Sequence, residues 1–113
     1  MANLTIGPIL DHCIKVGASD IHIQKTSRYA TLWFRIDGIK VDMGTMPIAI
    51  AKTLKRRLVT LADQEDSDYE SINGVINYEY GKKTIKFRLG LINSKLNFSL
   101  VMRMIGGRGV VSH

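Results

Sequence analysis

The sequence is poor in several residue types and motifs that define common classes of protein. A single cysteine in 113 residues cannot form an internal disulfide or a cysteine-based zinc site. Two prolines and a hydrophobic content of 45% argue against collagen-like and disordered sequence. No segment approaches the roughly 18 consecutive apolar residues of a membrane span, and the first residues lack the basic region of a signal peptide. We therefore expect one folded domain in the cytoplasm, with Cys13 as a small apolar residue of its core.

The motifs of nucleotide hydrolysis and of acid–base catalysis are also missing. A phosphate-binding P-loop requires Gly-x-x-x-x-Gly-Lys followed by Ser or Thr, and no such string occurs. The glycine-rich segment 106–109 lacks the Lys-Ser/Thr pair, so residues 106–113 are predicted to form a flexible tail or the start of a linker. The three histidines are scattered, and Asp20 with His22 supplies too few ligands for a metal ion. The sequence predicts no catalysis by this chain alone and no metal in it.

The charge of the chain is positive and unevenly distributed. The net charge is +6, from 16 basic and 10 acidic residues, and five of the acids lie between Asp63 and Glu70. Such a surplus favours polyanions, which include nucleic acid, an anionic membrane, nucleotide phosphates and acidic proteins. A small basic nucleic-acid-binding protein is therefore one alternative. Its weakness is that aromatic residues are only 7% of the chain, and Trp33 is more simply expected to pack against a helix.

Hydrophobic periodicity predicts two helices among mostly antiparallel strands, an α+β fold. Apolar residues recur at helical spacing in two segments and alternate with polar residues in six others. In the third strand, Ile39, Val41 and Met43 are expected to point inward, after a hairpin turn at Asp37-Gly38. The predicted order is αβββαβββ. The predicted segments are helices at 5–17 and 47–62 and strands at 20–24, 29–36, 39–43, 75–80, 83–92 and 96–105.

Two basic surfaces could bind an anion. In the last hairpin, a four-residue turn would place Arg88 opposite Val101 and Lys86 opposite Arg103, with the three bases on one face. Arginine suits phosphate because its planar guanidinium binds two oxygens at once. A solvated strand face that carries bases for solubility is an equally good interpretation. The second surface is the polar side of the second helix, which could equally be a solvated face. Its bases are Lys52, Lys55, Arg56 and Arg57.

Two strings in the first half of the chain carry a specific resemblance. They are Gly17-Ala18-Ser19-Asp20-Ile21-His22-Ile23 and Phe34-Arg35-Ile36-Asp37-Gly38. Together they resemble the secretion ATPase superfamily of type II secretion and type IV pilus motors, in the domain that precedes the ATPase core. The resemblance extends more loosely from Ile9 to Ile105, and Gly90 stands where the family commonly has a small hydroxyl residue.

The resemblance implies a PAS-like module over residues 1–105 with a regulatory and oligomerisation role. In that superfamily the module packs against a RecA-like ATPase core and assembles into hexameric rings. ATP would be held mainly by the core, which this chain does not contain. The implied partners are the core, neighbouring subunits and, indirectly, the inner-membrane platform of a pilus or secretion system. The implied location is the cytoplasm or the inner face of the membrane, and nucleic acid is not an expected partner.

The resemblance also implies roles for individual residues. Arg88 and Arg103 match the strand arginines that reach the nucleotide phosphates, and Lys86 is a possible accessory base. Asp20 and His22 are expected to fix the loop after the first helix. The full set of residues expected to be structural is Gly17, Ser19, Asp20, His22, Arg35, Asp37 and Gly38.

Overall fold

The computed structural model describes residues 6–64, 71–94 and 96–105. Within them the chain forms two helices and six strands in the predicted order, which confirms the α+β class. No helix in these ranges is long and apolar enough to cross a membrane. The predicted tail at 106–113 lies outside the described residues. The elements are α1 (Ile6–Val16), β1 (Asp20–Lys25), β2 (Ala30–Ile36), β3 (Ile39–Met46), α2 (Ile48–Leu61), β4 (Ser71–Tyr80), β5 (Lys83–Asn93) and β6 (Phe98–Met104).

The six strands form one antiparallel sheet in the order β3-β2-β1-β6-β5-β4. Each half is a run of three neighbouring strands, because short turns join consecutive strands within it. The halves meet at the centre, where β1 pairs with β6. Helix α2 connects β3 at one edge to β4 at the other edge. This connection carries the helix across the sheet, so that it covers a face.

Both helices pack on the same face of the sheet and form one hydrophobic core with it. Alternate residues of the strands point into this core, as the period of two predicts. The other residues of the same strands form the opposite face, which no helix in the described part of the chain covers. We call it the open face. The largest buried side chains on the core side of the strands are Phe34, Phe87, Ile21, Ile23, Ile76, Ile85, Leu89, Leu91 and Leu100.

Helix α1 has the predicted amphipathic pattern. Helical spacing predicts a stripe of Ile6, Ile9, Leu10, Cys13 and Ile14. The first four are buried, and Ile14 is partly buried against the core. Cys13 is fully buried in the core, which confirms the prediction. Burial chiefly raises the pKa of its thiol to about 12. The helix ends before Gly17, whose φ of 74° is the left-handed conformation that glycine adopts most easily.

The turn between β2 and β3 is the predicted two-residue hairpin. Asp37 and Gly38 have φ of 52° and 78°, and positive φ at both central residues is what a type I′ turn requires. The prediction that Ile39 points into the core is wrong, because its side chain is 65% exposed. Ile39 begins an edge strand directly after the turn and has a neighbouring strand on one side only.

The basic side of α2 also differs from the prediction. Lys55, expected on the solvated side, is only 7% exposed. Its Nζ donates to Asn93 Oδ1 at 3.5 Å and lies 5.2 Å from the centroid of the Phe98 ring. A long side chain of this kind packs its methylene groups against apolar surface while its ammonium meets polar groups. The exposed bases of the helix are therefore Lys52, Arg56 and Arg57.

Candidate anion-binding site on the open face

Five charged residues form a line across the open face of the sheet. Lys40 lies opposite Arg35, Arg35 opposite Asp20, Asp20 opposite Arg103, and Arg103 opposite Arg88. Residues directly opposite each other on neighbouring strands project to the same side. The line thus crosses β3, β2, β1, β6 and β5 in turn. We call these five residues the cation row.

The carboxylate at the centre of the row is almost removed from solvent. The Asp20 side chain is 4% exposed, and its Oδ1 accepts a hydrogen bond from Arg103 Nε at 2.9 Å. Its Oδ2 lies 3.8 Å from Arg35 Nε. The hydrogen bond from Arg103 raises the pKa of that guanidinium. Asp20 was expected to fix the loop after α1, but its carboxylate instead binds two arginines across the sheet.

Ser19, rather than Asp20, holds the end of that loop. Its backbone N–H and its hydroxyl both donate to the carbonyl oxygen of Arg35, at 2.8 and 3.3 Å. The Arg35 guanidinium in turn donates to the carbonyl oxygen of Gly38 at 3.0 Å. These bonds join the two strings that carry the family resemblance, 17–23 and 34–38, into one structural unit.

Arg88 and Arg103 lie directly opposite each other on β5 and β6. The predicted pairing of Arg88 with Val101 and of Lys86 with Arg103 is therefore wrong by two residues. The turn causes the shift, because the last strand pair is Asn93 with Phe98 and the turn closes between Ser94 and Asn97.

A shift of two residues keeps every side chain on its predicted face, since side chains alternate with a period of two. Lys86 remains on the open face, as predicted. It pairs with Asn77 of β4, and its carbonyl oxygen accepts the backbone N–H of Ile105 at 2.8 Å.

The charges of the cation row make it a candidate site for an anion. Like charges directly opposite each other on two strands destabilise a sheet, and Arg88 and Arg103 form such a pair. Asp20 is the one carboxylate among the five residues of the row, and it lies directly opposite two of the four cations, Arg35 and Arg103. The Arg103 side chain is 66% exposed even though Asp20 binds its Nε, so its terminal nitrogens face solvent. Guanidinium groups in this arrangement can hold the oxygens of a phosphate or a carboxylate.

Part of the cation row could not be read from the resemblance. Arg35 was expected to be structural, and Lys40 was not singled out. A signal for Lys40 was present, because a two-residue turn at Asp37-Gly38 fixes the pairing of Arg35 with Lys40. No comparable signal exists for the pairing of Asp20 with Arg103, which are 83 residues apart.

An aromatic stack lies beside the cation row. The rings of His22 and Trp33 are parallel, with centroids 3.6 Å apart. Lys40 Nζ and the Arg35 guanidinium carbon lie 4.7 and 5.4 Å from the centroid of the Trp33 ring. The expectation that Trp33 packs against a helix is wrong, because it is buried on the open face by these neighbours.

The stack lowers the basicity of His22 and leaves little surface for a ligand base. Burial is the main cause that lowers the pKa of His22, and Arg35, Arg103 and Lys40 lower it further. With Trp33 only 8% exposed, its ring is not available to stack on a nucleobase.

No cluster of three or more metal-ligating side chains occurs within residues 6–64, 71–94 and 96–105.

The family to which the sequence belongs is shown by a match over almost the whole chain. The family described as "Type II/IV secretion system protein" matches residues 2–112. The chain belongs to this family. The matched region includes every residue of the cation row and both strings that carry the resemblance, so the resemblance predicted from them is confirmed.

Relatives in the type II/IV secretion system family are ATPases. Type IV pilus assembly ATPase PilB of Acinetobacter baylyi is 26% identical over 102 residues, which is 88% of this chain and 18% of PilB. PilB of Pseudomonas aeruginosa is 28% identical over 102 residues, with the same shares. Type II secretion system ATPase E of Vibrio cholerae is 26% identical over 101 residues, 88% of this chain and 20% of that protein. The chain thus spans about a fifth of the length of these relatives.

Proposed function

We propose that this chain is a non-catalytic regulatory and oligomerisation module of a type IV pilus or type II secretion ATPase. In this proposal Arg88 and Arg103 contact the phosphates of ATP held by a RecA-like core in a hexameric ring. The observation that carries it is the direct opposition of these two arginines on an open sheet face. A like-charge pair in that position is stabilised when an anion lies between or over the two groups.

Asp20, Arg103 and Arg88 have different roles in holding such an anion. Asp20 binds Arg103 through Nε, which leaves the two terminal nitrogens of Arg103 for phosphate oxygens. Arg88 is exposed and lies directly opposite Arg103, so its guanidinium can adjust to the ligand. The phosphates of ATP carry the negative charge that Arg88 and Arg103 would bind. The free energy of this contact would depend on the orientation of the module relative to the core. A nucleotide-dependent change in that contact would couple the module to the core.

A chimera tests this proposal directly. The chain would replace the matching 102-residue region of Acinetobacter baylyi PilB, and the ATPase rate of the purified chimera would be measured. We expect Arg88→Ala and Arg103→Ala each to lower the rate by at least about tenfold, which corresponds to about 1.4 kcal/mol of lost transition-state stabilisation. The isolated chain should hydrolyse no ATP.

Arg28→Ala is the matched control, because Arg28 is an exposed arginine in the loop between β1 and β2, outside the cation row. It removes one positive charge of the same kind and should leave the rate within about twofold of the parent. Full activity of both Arg88→Ala and Arg103→Ala in an active chimera would contradict the proposed contact with nucleotide.

A further inference from the structure

Gly90 lies at a position where a residue with a Cβ atom would also fit. It lies in the middle of β5, and its φ is not in the left-handed range. A Cβ atom at Gly90 would meet, among the described residues, only Asn73 Oδ1, at an ordinary contact distance of 3.8 Å. Glycine weakens the interior of a strand and often marks a place where a ligand or another chain approaches closely. Neither backbone geometry nor packing accounts for its presence here.

The missing side chain leaves a cleft of about 300 Å³ on the open face. Gly90 forms part of its floor, between Asn73 of β4 and Val101 of β6, which are its neighbours across the sheet. Ile92, which is 64% exposed, flanks one end. The cleft is also lined by Ser71, Leu91 and Ser99. We call this the Gly90 cleft, and its mixed lining suits an apolar side chain whose backbone meets hydroxyl and amide groups at the rim.

The Gly90 cleft adjoins the arginine pair. Gly90 follows Arg88 by two residues on β5, and Val101 precedes Arg103 by two residues on β6. Two residues of a strand span about 7 Å. A ligand that fills the cleft therefore reaches the guanidinium groups when it carries an anionic group about 7 Å from its apolar group.

We propose that the Gly90 cleft and Arg88 together dock an acidic protein segment. A large apolar side chain of that segment enters the cleft, and a carboxylate two to four residues away binds Arg88 and the terminal nitrogens of Arg103. An extended chain places residues two apart at about 7 Å, and a helix places residues three or four apart at a similar distance. Charge complementarity identifies the partner as acidic, because the arginines at the cleft are positive and no acidic residue lines it among the described residues. This docking goes beyond the proposed contact with nucleotide, and the acidic segment would compete with ATP because both ligands use Arg88 and Arg103.

A displayed library of random peptides tests the proposal without assuming a partner. The folded chain is the bait, and peptides that also bind Gly90→Leu are removed. We expect the remaining peptides to share an acidic residue and a large apolar residue two to four positions apart. A synthetic peptide of this type should bind Gly90→Leu and Arg88→Gln at least about tenfold more weakly than the wild-type chain, a difference measurable by fluorescence anisotropy.

Thr45→Leu is the control for added apolar surface, because Thr45 is exposed on the same face at the far edge of the sheet. It should leave peptide affinity unchanged. Gly90→Ala should melt at or above the temperature of the wild-type chain, since a Cβ atom at Gly90 meets, among the described residues, only Asn73 Oδ1, at an ordinary contact distance. A lower melting temperature of Gly90→Ala would overturn the proposal by showing that the domain itself needs this glycine.

Two further outcomes would overturn the docking proposal. One is a selection in which no peptide distinguishes the wild-type chain from Gly90→Leu. The other is ATP binding to the isolated chain that Gly90→Leu abolishes, because this result would assign the cleft to a nucleotide. None of these readouts depends on the ATPase rate of the PilB chimera, so failure of the docking proposal and failure of the proposed function are distinguishable.

Discussion

Asp20 and its arginine partners form an unusual contact at the scale of single residues. A carboxylate that is nearly buried on a solvent-facing sheet must be compensated by hydrogen bonds and opposite charge. Arg103 and Arg35 supply both, at 2.9 and 3.8 Å. The same carboxylate partly neutralises a row that would otherwise contain four cations on neighbouring strands. Asp20 therefore contributes to stability and also determines how Arg103 is presented to a ligand.

Replacement of Asp20 should destabilise the domain in a salt-dependent way. Asp20→Asn keeps the shape of the side chain and removes its charge. We expect the free energy of unfolding to fall by about 1–3 kcal/mol at low ionic strength, because hydrogen bonds to charged groups contribute roughly this much. Added salt should reduce the difference, since it screens repulsion among the exposed cations. Urea denaturation at about 20 mM and about 500 mM NaCl measures both effects.

Asp42→Asn is a suitable comparison for the Asp20 variant. Asp42 lies on the same face but is exposed, and its Oδ1 accepts the backbone N–H of Gly44 at 2.9 Å. Its replacement should change stability by less than about 1 kcal/mol. Equal stability of Asp20→Asn and the wild-type chain at both salt concentrations would show that the ion pair contributes nothing.

The lowered pKa of His22 predicts a loss of stability in acid. Burial is the main cause that lowers this pKa from its ordinary value of 6.5. The negative charge of Asp20 opposes the effect, and the positive charges of Arg35, Arg103 and Lys40 add to it. The unfolded chain then binds a proton more readily than the folded chain. The contribution of His22 to stability is present above its unfolded pKa of 6.5 and is lost as the pH falls through 6.5 toward the lower folded value.

His22→Phe provides the test, because it keeps an aromatic ring against Trp33 and removes the titrating group. The melting temperature of the wild-type chain should fall more steeply than that of His22→Phe between about pH 7.5 and about pH 5. Parallel pH profiles for the two proteins would exclude His22 as the source of acid sensitivity.

At the scale of elements, the end of α2 packs closely on β4. A Cβ atom at Gly74 would lie 2.7 Å from Ala62 Cβ and 3.2 Å from the Ala62 carbonyl oxygen. Ala62 directly follows α2, and Gly74 lies in β4. Glycine at position 74 allows the C-terminal end of α2 to pack directly on β4.

Gly74→Ala should force α2 and β4 apart. We expect a loss of about 1–3 kcal/mol in the free energy of unfolding, the usual effect of overpacking. Gly90→Ala on β5 is the matched control, because its new methyl group has room, and it should be neutral or stabilising. Thermal and urea unfolding of the two variants measure the contrast. A Gly74→Ala variant as stable as Gly90→Ala would contradict the close packing of α2 on β4.

Most elements could be predicted from the sequence, but strand ends and pairing could not. Strand β4 begins at Ser71 rather than at 75, and β6 begins at Phe98 rather than at 96. The predicted register of β5 and β6 is wrong by two residues. Periodicity assigns a side chain to a face, but two registers that differ by two residues give the same faces. The hydrogen bonds of the turn between Ser94 and Asn97 decide between them.

At the scale of the whole molecule, the layer arrangement leaves one face of a basic protein uncovered in the described part of the chain. The net charge of +6 and the cation row would both attract a polyanion of any kind. Nucleic acid is the alternative partner that this charge suggests. The buried stack of Trp33 on His22 argues against it, because single-stranded ligands require exposed aromatic rings.

DNA binding should therefore be weak and purely electrostatic. We expect the dissociation constant for a short single-stranded oligonucleotide to exceed about 1 µM at about 150 mM NaCl, and the affinity to fall steeply with salt. Anisotropy titrations at several salt concentrations measure the slope. A tight complex that persists as salt increases would contradict the proposed role in a secretion ATPase and favour a nucleic-acid-binding protein.

The sequence by itself determined the local structure and the family. The period of apolar residues fixed the helices, the strands and their inward faces, because burial of one face is a local requirement. The strings 17–23 and 34–38 carried the family resemblance, and the turn at Asp37-Gly38 followed from the residues present there.

Only the tertiary structure decided how the two halves of the chain meet. The pairing of β1 with β6 brings Asp20 to Arg103, and the pairing of β5 with β6 places Arg88 beside them. Periodicity contains no information about which distant strands become neighbours, since many pairings bury the same faces. The cation row and the Gly90 cleft exist because the strand order of the folded sheet assembles residues that lie far apart in the sequence.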